Sequence, residues 1–576
     1  MRVIKYWSSL AITALLTLTG VLLLTVDCEG FDNSFTSTIR INERRHAQVI
    51  TALNTELLSA DELQPHKFGD ANSEWEVSMR QMATEALLPV LYPEKIDTNT
   101  GAATSTQSLY TSSATYLDEE KALKKLLRQF QKSLSERNTS FEERQASRKR
   151  LADLVLGTGM MRIRHWNYYK WKNSKSSNVQ PIIGLPCSDF SSTTVHESKV
   201  EVVRAMVNLH AEYTNEDFDE HDRIQKMNFD SDAERISIIH SLPLFFVRMM
   251  IDQYGSEKAE TMAKAFNKSG PIAIRRNEIK CTSDEELCEK LMRENSATAV
   301  PFWSERPSNG INISLPEGCL ELITNNAWSP SSTSIWSMEA WKDGWFEVQD
   351  AGSQLIVKAT EANYDDVVID YCAGNGGKTF ALASQMRRAG RNKVSDIGGT
   401  IISHDIVEER LRQLKGSFSR TGVSAELPIT VKTTIDSDVH LEKAMADVVL
   451  VDAPCSSTGV LRRRPSQRFK LKEDDITHTF PSLQLNVLNE ASDLVKPGGR
   501  LIYATCSISK FENEHVVEIF ENQPGFSSMW KPWVFDTTDD ATIDETSLNL
   551  QSHCQQLLPT KDGTDGFFIA RWRRSG

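Results

Sequence analysis

The sequence predicts an α/β fold: a mostly parallel sheet with helices on both faces in residues 346–576, a small α/β module before it at 241–345, and an α-helical region at 118–240. Three observations carry this. From Tyr364 onward, short apolar runs ("DDVVID", "TIISHD", "ADVVLVD", "RLIYATCS") alternate with helical segments ("KTFALASQMRRAG", "VEERLRQLKGSFSR", "SLQLNVLNEASDLV"), and such alternation builds a parallel sheet covered on both sides. A glycine-rich turn, "DYCAGNGGKT", joins the first strand to the first helix, as in Rossmann-like domains. Finally, Asp405, Asp452, Cys455 and Cys506 all fall at or just past the carboxyl ends of predicted strands, where ligands gather in such sheets.

Taken from the N-terminus, 576 residues exceed what one core supports, so three or four units are expected. A formal charge of −13 argues against a uniformly basic nucleic-acid coat but leaves room for local basic clefts. The nine cysteines form no CxxC pair and no Cys/His spacing typical of zinc, so no structural metal is expected. Their odd number and low density also speak against a disulfide framework and for a reducing compartment. "MRVIKYW" followed by an apolar run from Leu10 to Val26 reads as a signal peptide ending near Gly30; a transmembrane anchor is the alternative. The next segment, from Phe31, is rich in hydroxyl residues and arginine. The combination resembles the bipartite presequences of algae with complex plastids, which implies delivery to a plastid. Plain secretion is the other reading, and sequons at Asn138, Asn267 and Asn312 would then be open to glycosylation.

Residues 97–115, Ser/Thr/Gly-rich, read as a linker closing a transit segment that covers 31–117. Leu123, Leu126, Leu127, Phe130 and Leu134 then mark an amphipathic helix. A second helical block, "SRKRLADLVLGTGMMRIRHWNYYKW", carries basic and aromatic residues that could meet RNA or could simply be solvated charges around core aromatics. A polar stretch spans roughly 172–193, and helices resume near Lys199. In the module, "PIAIRRNEIK" reads as a strand and "SDEELCEKLMREN" as a helix opened by a capping box of Ser283 and Glu286. "KPGG" before the last predicted strand reads as a turn.

The three glycines of Asp370–Thr379 let backbone approach a ligand closely and leave helix N-terminal amides facing it. The spacing is neither GxGxxG nor a P-loop. Asp405 ends the second strand, where an acid is expected to hold ribose hydroxyls, though it comes later than the usual ~20 residues. A ribose-bearing cofactor follows. Cys455 and Cys506 then suggest covalent chemistry on a pyrimidine. A thiolate adding to carbon 6 of cytosine makes carbon 5 nucleophilic enough to take a methyl group, and a second nearby group helps to remove the carbon 5 proton and release the product. Burial as small hydrophobes is the bland alternative, and it is the preferred reading for Cys372.

The series "VQDAGSQL", "DYCAGNGGKT", "LVDAPCSSTGVLRRRP", "LVKPGGRLIYATCSISKFENE" and "DGFFIARW", in that order over Val348–Trp572, resembles the RsmB and Nop/Sun group of RNA 5-methylcytosine methyltransferases. The resemblance extends to "HSLPLFFVRMM", similar to the start of the RRM-like module of that group, and loosely to "RKRLADLVLGT", similar to its NusB-like helical domain. It implies a Rossmann-like domain dependent on S-adenosyl-L-methionine. Cys506 would be the nucleophile, Cys455 the residue assisting release, Asp452 the residue orienting the cytosine, and Lys378 would lie beside cofactor and base. The cofactor would contact Cys372, Ala373, Gly374, Asn375, Gly376, Gly377 and Lys378, together with Asp405, Asp436 and Asp452. Gly374 and Asn375 depart from the group's usual "CAAPGGK". The implied partner is RNA, rRNA or else tRNA; the protein itself is expected to be a monomer whose only membrane contact is its leader. Arg462, Arg463, Arg464 and Arg468, just past the Cys455 loop, are candidates for gripping RNA phosphates. Two rivals remain at this point. A DNA cytosine methyltransferase would use the Pro-Cys cysteine, Cys455, as nucleophile, and a non-catalytic ribosome-assembly factor would keep the fold alone.

Overall fold

The computed structural model describes residues 74–91, 126, 147, 150–173, 196–215, 227–302, 315–323, 335–391, 398–423, 429–535, 553–559 and 563–576. The expected signal peptide, the Ser/Thr/Gly linker, most of the polar stretch and the sequons at Asn138 and Asn312 lie outside them.

The N-terminal helices are α1 (Glu74–Leu91), α2 (Arg162–Asn173) and α3 (His196–Asn215). Met79, Ala83, Leu87 and Leu91 recur every four residues along α1 and are buried against Leu151, Leu154, Val203 and Val207. This corrects the expectation that residues 31–117 are only transit segment and linker: an amphipathic stripe lies inside them, and its Arg150–Glu76 ion pair (2.7 Å) is buried too. Of the basic-aromatic block, Arg150, Arg162 and Arg164 are buried, and the Arg162 guanidinium lies over the Phe469 ring at 3.5 Å.

Three further helices, α4 (Asp232–His240), α5 (Leu244–Tyr254) and α6 (Ser256–Phe266), share a core with Leu461 and Ile508. They are thus built onto the C-terminal sheet domain. The small sheet of the module comes after them, with β1 (Ala273–Arg276), β2 (Thr298–Pro301), β3 (Cys319–Ile323) and β4 (Phe346–Val348) in the antiparallel order β2-β3-β1-β4. Its helix α7 (Asp284–Asn295) is capped by Ser283, whose side chain accepts from Glu286 N (3.1 Å).

Helix α8 (Ala351–Lys358) leads into the main domain. There β5 (Val367–Asp370), α9 (Gly377–Ala389), β6 (Thr400–Ser403), α10 (Glu408–Lys415), β7 (Thr430–Thr433), β8 (Ala446–Asp452), α11 (Phe480–Ser492) and β9 (Val495–Thr505) form the parallel part. After α12 (Glu514–Glu521), the antiparallel strands β10 (Trp530–Pro532), β11 (Cys554–Leu557) and β12 (Phe567–Arg574) complete an eight-stranded sheet. Its order is β10-β12-β9-β8-β5-β6-β7, with β11 also on β12. The unbroken apolar runs are explained by burial on both faces. Val448 and Leu450 enter one core with Val368 and Ile502, while Val449 and Val451 enter the other with Ile369 and Tyr503. "KPGG" is not a separate turn. Strand β9 runs through it, and the pairing with β8 shifts register between Ala446 and Val448.

Candidate active site

The chain starts the sheet at β5, moves outward to β6 and β7, then returns to β8 and β9 on the other side. The switch in direction leaves a crevice beyond the carboxyl ends of β5 and β8. The turn after β5 is shaped by Gly376, whose φ of +89° disfavours a side chain and where a Cβ would lie 2.7 Å from Leu414 Cγ. Its amide closes a turn on Ala373 O (2.9 Å), and Ala373 N bonds His404 O (2.8 Å). Cys372 is half-buried and Asn375 exposed; burial pushes the Cys372 thiol well up. Asp405, at the end of β6, accepts from Gly374 N (2.9 Å) and Val407 N (2.8 Å). It braces the loop, and each oxygen keeps a lone pair for a hydroxyl.

Across the crevice, Lys378 Nζ donates to Asp452 Oδ2 at 2.6 Å. Burial opposes the lysine charge, but Asp452 outweighs it and the Lys378 pKa is raised. Asp370, at the tip of β5, accepts from Thr379 Oγ1 (2.8 Å) while its other oxygen is buried without a partner. Burial pushes its pKa up to about 7.

The thiols of Cys455 and Cys506 meet at 3.1 Å, both free. Cys455 follows β8 and Cys506 follows β9, neighbours in the sheet, which is why residues fifty apart in sequence converge. The turn after Cys455 is tied to the other loop through Gly459 N, which donates to Cys506 O (2.9 Å). Ser457 holds a left-handed φ of +60°, a conformation costing roughly 1–2 kcal/mol, and its Oγ lies 3.5 Å from Cys506 Sγ. Within the pair the proton favours Cys455. Its hydrogen bond to Cys506, then burial, push the Cys455 thiol well up, whereas Cys506 is lowered by the hydrogen bond from Cys455 and, against burial, by Ser457.

Other expected residues have different work. Arg462 and Arg468 are buried and Arg463 is half-buried, each held by partners within the protein. Arg462, fully buried, pairs with Asp565 and donates to Gly563 O (2.7 Å). Arg463 bridges Asp565 (2.7 Å) and Asp350 (2.9 Å), and Arg468 donates to Asn267 Oδ1 (2.7 Å) and to the carbonyls of His240 and Phe266. Buried guanidinium groups need such partners, and the acids that supply them, Asp350 and Asp565, lie more than a hundred residues away on either side. Only Arg464 of the four is exposed, and its charge helps lower the Cys506 thiol. Asn267, a sequon, donates from Nδ2 to His240 O (3.1 Å) and accepts from Arg468 at Oδ1 (2.7 Å), so both ends of its amide are engaged within the protein. Asp436 accepts from Thr433 N (2.9 Å) and Thr433 Oγ1 (2.8 Å) and pairs with Lys415, which ties its carboxylate to the end of β7.

Sequence reasoning passed over several contributors. Tyr254 of α5 donates to Ile508 O (2.6 Å), and Gln253 Oε1 accepts from Lys510 N (3.0 Å), buttressing the Cys506 loop from the preceding helices. Glu512 lies buried below both thiols. The glycine of "DGFFIARW" is needed because Gly566 and Gly459 touch backbone to backbone: a Cβ on Gly566 would sit 2.7 Å from Gly459 Cα, and one on Gly459 would sit 2.1 Å from Gly566 O. Among the described residues no group of three or more His, Cys, Asp or Glu side chains could hold a metal, and no helix is long and apolar enough to cross a membrane.

Comparison with known proteins gives this geometry a family. Residues 357–573 match the model of the 16S rRNA methyltransferase RsmB/F family. The chain is 28% identical over 352 residues to a probable ribosomal RNA small subunit methyltransferase B of Bacillus subtilis, covering 60% of this chain and 69% of that protein. It is 27% identical over 347 residues to the corresponding protein of Synechocystis, covering 60% and 70%. Among solved structures, that of PH0851 superposes with a TM-score of 0.50 at 20% identity over 93% of this chain and all of the other, a likeness of fold. Residues 357–573 of this chain therefore belong to the RsmB/Nop/Sun family of methyltransferases.

Proposed function

We propose that the protein is an S-adenosyl-L-methionine-dependent RNA cytosine-5 methyltransferase acting on rRNA. The observation that carries it is the contact of two free thiols, Cys455 and Cys506, at 3.1 Å beside the Lys378–Asp452 pair. The glycine loop suits a cofactor of this kind. A Cβ at Gly374 or Gly377 would meet nothing within 4 Å, the second oxygen of Asp370 is buried without a partner, and Asp405 retains acceptor capacity. The Cys372–Lys378 loop, Asp405 and Asp452 would hold it, and bound there it supplies an electrophilic methyl group.

The protein's own residues do the rest. Cys506, the thiol biased toward ionisation, adds to carbon 6 of the cytosine, forming an S–C bond and turning carbon 5 into a nucleophile. Asp452, held by Lys378, orients the base. After carbon 5 is methylated its proton leaves and the C6–S bond breaks, restoring the ring, and Cys455 assists this release from contact distance. The base must be unpaired or flipped to reach the thiols, and Arg464, exposed at the mouth, meets the phosphates. Delivery to a plastid belongs to the same reading. A fluorescent protein carrying residues 1–60 is expected in that organelle, and its secretion would refute this part.

The test of the activity is methyl transfer from labelled S-adenosylmethionine to unmodified organellar RNA. Protein lacking the leader is compared with its Cys506→Ala and Cys455→Ala variants. Transfer is expected to vanish in Cys506→Ala, and a covalent RNA adduct to accumulate in Cys455→Ala. Transfer that survives Cys506→Ala but not Cys455→Ala would reverse the roles; RNA binding without transfer by any form would indicate an assembly factor.

A further inference from the structure

Glu512 has no part in the chemistry described so far, yet it is fully buried at the point where both thiol loops meet. Its carboxylate accepts from Ser456 N (2.8 Å), Ser456 Oγ, Ser507 Oγ (2.6 Å) and Gln484 Nε2 (3.0 Å). Ser456 follows Cys455 and Ser507 follows Cys506, so a single side chain grips the residue after each thiol. Gln484 also donates to Pro454 O (2.9 Å), fixing the residue before Cys455. Thr458 Oγ1 and Ser507 Oγ, 2.9 Å apart, link the two loops directly. The neighbouring Asn513 holds Ser507 O (3.0 Å) and accepts from Thr505 Oγ1 (2.6 Å).

The backbone N–H and the amide are obligate donors and the hydroxyls can rotate to donate, which favours an ionised carboxylate, while burial outweighs these bonds and holds the Glu512 pKa above its ordinary value. No Lys, Arg or His among the described residues pairs with Glu512, so in its ionised form the charge is met by dipoles and not by a counter-ion. Two of its bonds go to Ser456, on the Cys455 side. A negative charge placed there disfavours a second one on Cys455, in keeping with the pattern of the pair: Cys506 foremost, then burial, then Glu512 push the Cys455 thiol up.

We propose that Glu512 is a positioning residue: it holds the two thiols in contact and directs the proton they share onto Cys455, leaving Cys506 as the nucleophile. The consequence for catalysis rests on the methyl-transfer reading; the effect on the thiols does not.

The experiment uses the full-length protein and its Glu512→Gln variant, which keeps the shape and removes the charge. Initial rates of iodoacetamide labelling of Cys455 and Cys506 are followed by peptide mass spectrometry from pH 6 to 9, alongside methyl transfer. In the parent, Cys506 is expected to label faster. In Glu512→Gln the ratio of Cys506 to Cys455 labelling falls about tenfold, as one lost charge at short range implies, and kcat falls while KM for the cofactor holds. An unchanged ratio in a folded variant overturns the proposal. So does faster labelling of Cys455 in the parent, a readout that stands even if the variant does not fold. Selective labelling with no methyl transfer by the parent upholds Glu512's role and retires the methyl-transfer reading instead.

Discussion

The reassignment of the arginines can be tested by replacing one buried and one exposed member of the run. Arg462→Leu leaves the Asp565 carboxylate, itself 1% exposed, with Arg463 as its remaining partner, and strips Gly563 O of its donor. Removing one member of a buried ion pair costs about 3–5 kcal/mol, and because Arg463 stays at 2.7 Å the lower end applies. Near 3 kcal/mol, a domain of this size loses roughly 6–12 °C in Tm. Arg464→Ala, at an exposed position, shifts stability by no more than about 0.5 kcal/mol but weakens RNA binding and lowers the salt slope by about one. Differential scanning calorimetry and RNA binding between about 50 and 200 mM salt read both effects. A stable Arg462→Leu protein that loses RNA affinity and salt slope would refute the structural assignment and return Arg462 to the RNA surface.

Three more predictions follow from the same geometry. Gly459→Ala drives a Cβ to 2.1 Å from Gly566 O, so the Cys455 turn must back away from the C-terminal strand; about 2–4 kcal/mol of stability and most methyl transfer are lost, and a variant with parental Tm and activity would contradict the close approach. Tyr254→Phe leaves Ile508 O without its donor, costing about 1–2 kcal/mol in denaturant unfolding and lowering kcat more than it raises KM; an effect on KM alone would mean that α5 does not brace the Cys506 loop. Asp370, pushed up to about 7 by burial, lies above its unfolded value near ~3.9. The folded state therefore holds the extra proton between those values. The stability this contributes is complete below about 4 and is lost as pH rises through about 7. Asp370→Asn does not titrate, so its unfolding free energy should gain on the parent's from about pH 4 to 7 and level off above, by at most about 4 kcal/mol; a gap that stays constant would place the titration elsewhere.

Much of the catalytic domain was legible because its signals are local. "ADVVLVD" is apolar at every buried position, since the sheet is covered on both faces, and "DYCAGNGGKT" carries its glycines where the strand turns into a helix. The α1 stripe was equally local, at Met79, Ala83, Leu87 and Leu91, but the hydroxyl-rich sequence around it drew the reading toward a linker. The arginine run shows the opposite limit. Arg462 and Arg464 look alike in sequence, and the acid that separates their roles, Asp565, stands about a hundred residues downstream.

By itself the sequence determined most of the strands and helices of the parallel sheet, that Cys455 and Cys506 would each lie just past a strand end, and that a glycine loop would open the site. Those properties depend on the periodicity and chemistry of neighbouring residues. Tertiary structure decided what depends on packing between distant segments: that β8 and β9 are adjacent, so the thiols touch; that Lys378 reaches Asp452 across the switch point; that three arginines turn inward; and that Glu512 closes under both loops. The physical reason is that burial and ion pairing are settled by which surfaces meet, and a buried charge takes the partner the fold delivers to it.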